Sequence, residues 1–342
     1  MIKNKASMAI LAKSRAMYGR RLSPGDYNEL IHKRSVAEAA AYLKHETSYG
    51  GALSGIEENI IHRGQLEVLI KKSHADKYLR LSSFLPFEKD AFFHCADKKN
   101  ELDTVLSAVH YFNIGEMERF FELIPGFVLE RMKFDVAALS KSARTEDFIA
   151  AVKNTVYAGI LEKNIDKTRD KFILERCENQ IYTAYYNYML KQAKKGRSKA
   201  LRRDLENILG KQIEQLNIRL VYRLRHYFGL PPEEIRQRLV LNKRGSAADK
   251  MLALKDEAGM LDLAYPGMNK SASAETYYNI EHFSQSQMKT FYQKLLRMSN
   301  EPLTVFLAYS ELNNIEVQNL ISIIEGIRYG VGEKALENLL AL

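Results

Sequence analysis

The side chains best suited to chemistry in this 342-residue chain are His94 and Cys95, which stand side by side. An imidazole beside a thiol is the pair from which a metal site or an activated nucleophile can be built. Neither has a further ligand or an orienting group at a motif spacing, because Cys177 is far away and no His-Glu-x-x-His run occurs. The pair therefore reads as a helix turn carrying one buried thiol. His110 and His226 each open a His-Tyr-Phe triplet, and a shared role at helix ends is expected, where imidazole satisfies terminal carbonyls. Glu233-Glu234 follows Pro231-Pro232 and suits the first turn of a helix, where carboxylates compensate the dipole. Glu316 and Glu325 border an apolar run of Val317, Leu320, Ile321, Ile323 and Ile324. They are expected to pair with Arg328 or with a neighbouring helix. The chain has no Gly-x-x-x-x-Gly-Lys-Ser/Thr phosphate loop and no Gly-x-Gly-x-x-Gly turn. No catalytic, cofactor-binding or metal-ligating residue is expected, and the chain is not expected to be an enzyme by itself.

Charge points to partners instead. The formal net charge is +9, and a basic surface serves nucleic acid, an anionic membrane face or an acidic protein. The densest basic stretch is Lys191, Lys194, Lys195, Arg197, Lys199, Arg202 and Arg203, with no acid until Asp204. Gly196 and Ser198 inside it mark a helix–loop–helix corner, whose simplest reading is a solvated surface. The sharper reading is contact with phosphates. No nucleic-acid-binding motif accompanies the stretch, so no nucleic-acid partner is expected, and anionic lipid head groups are the better candidate.

The elements that position these residues are helices. Ile173, Cys177, Ile181, Tyr185 and Tyr188 recur every three or four residues and make an apolar stripe. Glu57 to Leu81 carries a similar stripe through Ile60, Ile61, Leu66, Leu69, Ile70 and Tyr78. Alternating strand-like runs are hard to find, so the whole chain reads as all-α. Ser23-Pro24-Gly25-Asp26 starts a helix, and Ser35 with Glu38 has the reciprocal capping pattern. Thr145, Glu146 and Asp147 mark another helix start, as does Leu230-Pro231-Pro232-Glu233. Gly259 to Ser273 is the most loop-like stretch. With 46% hydrophobic residues the chain has material for real cores. It has no apolar run long enough to cross a membrane and no apolar signal core at its start, and two cysteines fit a reducing, cytoplasmic compartment.

The pattern repeats. Thr47-Ser48-Tyr49-Gly50 returns as Thr155-Val156-Tyr157-Ala158, and the His-Tyr-Phe triplets recur at a comparable interval. Ile327-Arg328-Tyr329-Gly330 offers a looser third closing. A recurring unit of about one hundred residues indicates a stacked or toroidal helical scaffold. Three repeats are expected, over residues 1–120, 121–230 and 231–342, with room for closing helices of neighbouring repeats to interleave. The third begins near Pro231, has Ser246-Ala247-Ala248-Asp249 at its second capping site, and shows Ala258-Gly259-Met260 where Thr-x-Tyr is expected.

The stretch from Leu312 to Gly330 resembles the closing signature of the V/A-type ATPase (ATP synthase) subunit called C in archaea and bacteria and d in eukaryotes. The shared pattern is Glu316, then Asn319-Leu320, then an apolar helix with Glu325-Gly326 and the basic-aromatic end Arg328-Tyr329. Ala12-Lys13-Ser14-Arg15-Ala16-Met17 followed by Arg21-Leu22 is similar to the Ala-x-x-Arg-Ala opening of that family. Asp26-Tyr27-x-x-Leu30 and Thr47-Ser48-Tyr49 echo its first repeat, so the resemblance spans essentially the full chain. It implies three similar helical domains forming a funnel around a pseudo-threefold axis. It also implies one copy per complex at the cytoplasmic face of the membrane, as a peripheral central-stalk subunit without cofactors. The implied partners are the central axle subunits (D and F type) and the membrane rotor ring (c or K type), between which torque passes. Partner contacts are expected from Arg15, Arg20, Arg21, Tyr49, Tyr157, Lys194, Lys195, Arg197, Glu316, Asn319, Glu325 and Arg328. The alternative is a free-standing helical-repeat adaptor that binds protein partners in its cavity.

Overall fold

The computed structural model describes residues 2–84, 95–122, 124, 129, 132–266 and 280–341. In chain order the helices are α1 (Ile2–Tyr18), α2 (Pro24–Ile31), α3 (Val36–Glu46), α4 (Arg63–Ser82), α5 (Cys95–Ile114), α6 (Met117–Glu122), α7 (Val136–Ser140), α8 (Thr145–Ala151) and α9 (Ala158–Glu162). They continue with α10 (Leu174–Ala193), α11 (Lys199–His226), α12 (Pro232–Arg238), α13 (Ala247–Ala253), α14 (Glu257–Ala264), α15 (Ile280–Met298), α16 (Pro302–Tyr329) and α17 (Glu333–Leu339). Among the described residues the fold is all-α apart from one antiparallel pair, β1 (Ile165–Asp166) with β2 (Lys171–Phe172). That pair escapes a search for alternating runs because each strand has two residues.

The chain divides into two compact units, Met1–Glu88 with Ser273–Leu342, and Lys89–Ala272. In the first unit α16 is the central helix, packed against α1, α2, α3, α4, α15 and α17. Its apolar residues cover most of its circumference, from Leu303 to Ile324, and it is buried accordingly. Leu30, Leu43, Leu53, Leu66 and Ile70 close one core against Val317, Leu320, Ile323 and Leu336. In the second unit α10 packs on α5 and α11, and α11 on α13. The expected stripe on α10 is buried at Cys177, Ile181 and Tyr185, with Tyr186 and Met189 joining it.

Helix starts follow the sequence signals. Ser23 and Asp26 form a capping box, with Pro24 in the first turn. Ser35 accepts the Glu38 N–H at 3.1 Å, but the Glu38 carboxylate accepts from the Arg34 N–H, one residue beyond the reciprocal pattern. Two expectations are corrected. The stripe from Glu57 does not make one helix: a 3₁₀ turn (Glu58–Ile60) and extended backbone at Ile61 precede α4, leaving Ile60 exposed. The stretch from Gly259 is not loop at its start. Asp256 accepts the Gly259 N–H at 2.6 Å, and buried Met260 and Leu261 hold α14, whereas residues 267–273 lie outside the described residues.

One module recurs three times: a long helix, a left-handed glycine, a short helix, two capped helices and a buried tyrosine. The first copy is α5, Gly115 (φ 77°), α6, α7, α8 and Tyr157. The second is α11, Gly229 (φ 60°), α12, α13, α14 and Tyr265. The third uses both ends of the chain: α16, Gly330 (φ 65°) and α17, then α2, α3 and Tyr49, with α17 packed on α2. The three tyrosines stand at an equal interval of 108 residues (157 − 49 and 265 − 157). The third tyrosine is therefore Tyr265, not a position within Ala258-Gly259-Met260, and Ser246 caps the first helix of its pair while Asp256 caps the second. The His-Tyr-Phe triplets are not equivalent, since His110 lies five residues before its glycine and His226 three before its own. Each imidazole packs edge-on to the next tyrosine ring, and His226 also stacks on Tyr222.

Candidate functional site

Thr47 and Thr155 end their helices in the same way. The Thr47 hydroxyl donates to the Leu43 carbonyl at 2.6 Å and accepts the Tyr49 N–H at 3.2 Å. The Thr155 hydroxyl donates to Val152 at 2.8 Å and accepts the Tyr157 N–H at 3.2 Å. Each threonine thus donates to a carbonyl near its helix end and holds the N–H of the tyrosine two residues on, whose ring is buried. Tyr49 donates to Glu316 Oε1 at 2.9 Å, and Tyr265 donates to Gln215 Oε1 at the same distance. Tyr157 lies within electrostatic reach of buried Glu101; burial is the main reason its phenol stays protonated, with Glu101 and Asp103 reinforcing it.

A second contact is shared by two copies. Asn319 exchanges two hydrogen bonds with the Ala341 backbone, both 3.1 Å. Asn217 exchanges two with Val240, both 2.8 Å. A buried asparagine here acts as a surrogate strand partner for the segment leaving the short helix, so no backbone group is orphaned. Gly326, one residue after Glu325, has an equally local reason: a Cβ there would collide with the Leu336 side chain of α17.

The first unit gathers several of the expected contact residues around one cleft of about 40 Å³, whose lining includes Arg20, Arg21, Lys77, Lys289, Glu316 and Asn319. Glu316 comes from α16, and the Leu22 N–H donates to its Oε2 at 2.9 Å. Arg21 lies over the Tyr18 ring, 4.3 Å from its centroid. Lys77 lies 4.4 Å from the Tyr49 ring centroid and donates to Asn313 Oδ1 at 3.4 Å. Burial lowers the Lys77 pKa against the opposing pull of Glu316, and burial with nearby Arg21 lowers that of Lys289. The Asn313 amide donates to the His74 ring. Burial, with Lys77 adding, pushes that imidazole down to about 4.

The remaining expected residues are dispersed. Arg15 caps the end of α15, donating to the Leu296 carbonyl at 2.9 Å and to Ser299 at 2.8 Å. Glu325 pairs with Arg63 at 3.3 Å rather than with Arg328, which is exposed at the end of α16. Tyr49, Tyr157 and Asn319 are buried, so their side chains hold the fold. Lys194, Lys195 and Arg197 are exposed on the corner between α10 and α11, where Ser198 caps α11 and Arg202 donates to the Gly196 carbonyl at 2.7 Å. His94 and the side chain of Cys95 lie outside the described residues. Burial raises the Cys177 thiol to about 12, which makes it inert at neutral pH. Among the described residues no group of three His, Cys, Asp or Glu side chains converges as metal ligands, and no helix is long and apolar enough to cross a membrane.

Sequence reasoning missed Lys77, Lys289, Gln215 and Asn217. The equal interval to Tyr265 was the available signal for Gln215; the two lysines carry none. A search among curated proteins returns no match. The family model described as ATP synthase (C/AC39) subunit matches residues 10–339.

Proposed function

We propose, from the premise that this chain belongs to the ATP synthase (C/AC39) subunit family, that it is the non-catalytic central-stalk socket of a rotary V/A-type ATPase. In this reading it receives the tip of the central axle (D and F type subunits) and sits on the membrane rotor ring (c or K type). It carries torque between ATP turnover and ion translocation without hydrolysing ATP itself. It is peripheral, on the cytoplasmic face, in one copy per complex, and its three repeats form the walls of the socket. The observation that carries the reading is a match over nearly the whole chain.

The internal packing supports a mechanical role. A torque coupler must resist shear, and close-packed helical interiors transmit strain because they compress little. The buried Tyr49–Glu316 and Leu22–Glu316 contacts tie the two ends of the chain into one core. Exposed Lys194, Lys195 and Arg197 suit anionic lipid head groups, each worth about 1 kcal/mol near such a surface. Affinity purification of the tagged chain from its own cells tests the reading: axle and ring subunits are expected in stoichiometric amounts. A chain recovered only by itself, or only with unrelated proteins as a free-standing adaptor would be, overturns it.

A further inference from the structure

The cleft beside Glu316 has more positive charge than its own carboxylate serves. Both Glu316 oxygens are already engaged by neutral donors, the Leu22 N–H and the Tyr49 hydroxyl, each at 2.9 Å. Among the described residues Lys77 meets the Asn313 amide oxygen and the Tyr49 ring face, and Lys289 the Ala341 carbonyl at 3.1 Å. Among the described residues neither lysine has a carboxylate within ion-pair distance. An ammonium has three donors, so each lysine keeps donors to spare. Arg20 and Arg21 line the same opening.

Holding two half-buried ammonium groups with one carboxylate, Glu316, shared at electrostatic range is costly, and a bound anion lowers the cost. The cleft volume of about 40 Å³ is room for a few waters or one small oxyanion. Tyr27 and Tyr309, both in the lining, are kept protonated chiefly by burial, with Glu316 adding, so their hydroxyls remain available as neutral donors.

We propose that this cleft binds one phosphate group, held by Lys77 and Lys289 with Arg21 at the rim. The inference does not rest on the torque-coupling role, since it concerns the isolated chain. The phosphate is either free inorganic phosphate or the head group of an anionic lipid.

The test is calorimetric titration of the full chain with sodium phosphate at constant ionic strength. One saturable site per chain is expected, weakened at least tenfold by Lys77→Gln with Lys289→Gln and at least threefold by Arg21→Gln. Circular dichroism confirms that each variant is folded; should the double variant unfold, Arg21→Gln decides, because its side chain lies on the surface. No saturable binding by the native chain, equal affinity in the variants, or binding of a polyglutamate peptide in place of phosphate would overturn the proposal. Phosphatidylglycerol vesicles separate the two sources. Retention that phosphate competes away and the double variant loses assigns a lipid head group, and calorimetric binding without such retention assigns free phosphate.

Discussion

The Tyr49 hydroxyl donates to Glu316 Oε1 across 267 residues of sequence, in a buried site. Desolvation, reinforced by the facing carboxylate, holds that phenol well above its usual pKa, so the bond joins a neutral donor to its acceptor through the neutral pH range. The equivalent tyrosine in the second unit, Tyr265, donates to an amide instead. Bonds to charged groups contribute about 1.5–3 kcal/mol and neutral ones about 1 kcal/mol. Tyr49→Phe should therefore destabilise the protein more than Tyr265→Phe by about 1 kcal/mol. Urea denaturation of the two variants measures the difference, and an equal or reversed order would contradict the assignment of Glu316 as the acceptor.

The asparagine clamps make a paired prediction. Asn319→Ala orphans the Ala341 N–H, while the Ala341 carbonyl keeps the Lys289 ammonium, and Asn217→Ala orphans the N–H and C=O of Val240. Each variant should lose about 1–3 kcal/mol, the range for leaving buried groups unpaired, with Asn217→Ala the costlier. Amide hydrogen exchange should quicken at Ala341 in one and at Val240 in the other. Unchanged protection at both sites would show that the clamps are dispensable.

Glycine substitutions within two helices should have opposite signs. Gly326→Ala forces Leu336 aside and should cost about 1–3 kcal/mol by overpacking. Gly210→Ala at an exposed position of α11 meets nothing within 4 Å and should stabilise by about 0.5–1 kcal/mol through helix propensity. Thermal melting decides it, and a neutral Gly326→Ala would mean that α17 can shift away from α16.

The His74 imidazole has its pKa depressed from 6.5 to about 4. Below 6.5 the unfolded chain takes up a proton that the folded chain refuses. Stability from this group is therefore fully present above pH 6.5 and is lost as pH falls towards 4. His74→Asn keeps an acceptor for Asn313 and removes the titration. Native protein should lose more stability than this variant between pH 7 and pH 5 in urea melts, and parallel pH profiles would refute the assignment.

The local signals were legible because they act over three or four residues. Ser23 and Ser246 cap where the sequence places capping residues, and Thr47 and Thr155 end helices as their spacing implies. Tyr265 stayed hidden because Leu263 stands where the other copies have threonine, although the tyrosine interval itself is regular. The clustering of Lys77, Lys289 and Glu316 carries no sequence signal, since the three residues come from three helices, α4, α15 and α16. The assembly of one module from both chain ends is likewise a property of packing.

The most direct test of the coupling role is to reconstitute the rotary ATPase in liposomes with and without this chain, recording ATP hydrolysis and ATP-driven ion uptake in the same preparation. The account predicts that omission leaves hydrolysis by the catalytic head but abolishes ion uptake, and that adding the chain back restores it. Ion uptake at the full rate in the preparation lacking the chain would contradict it.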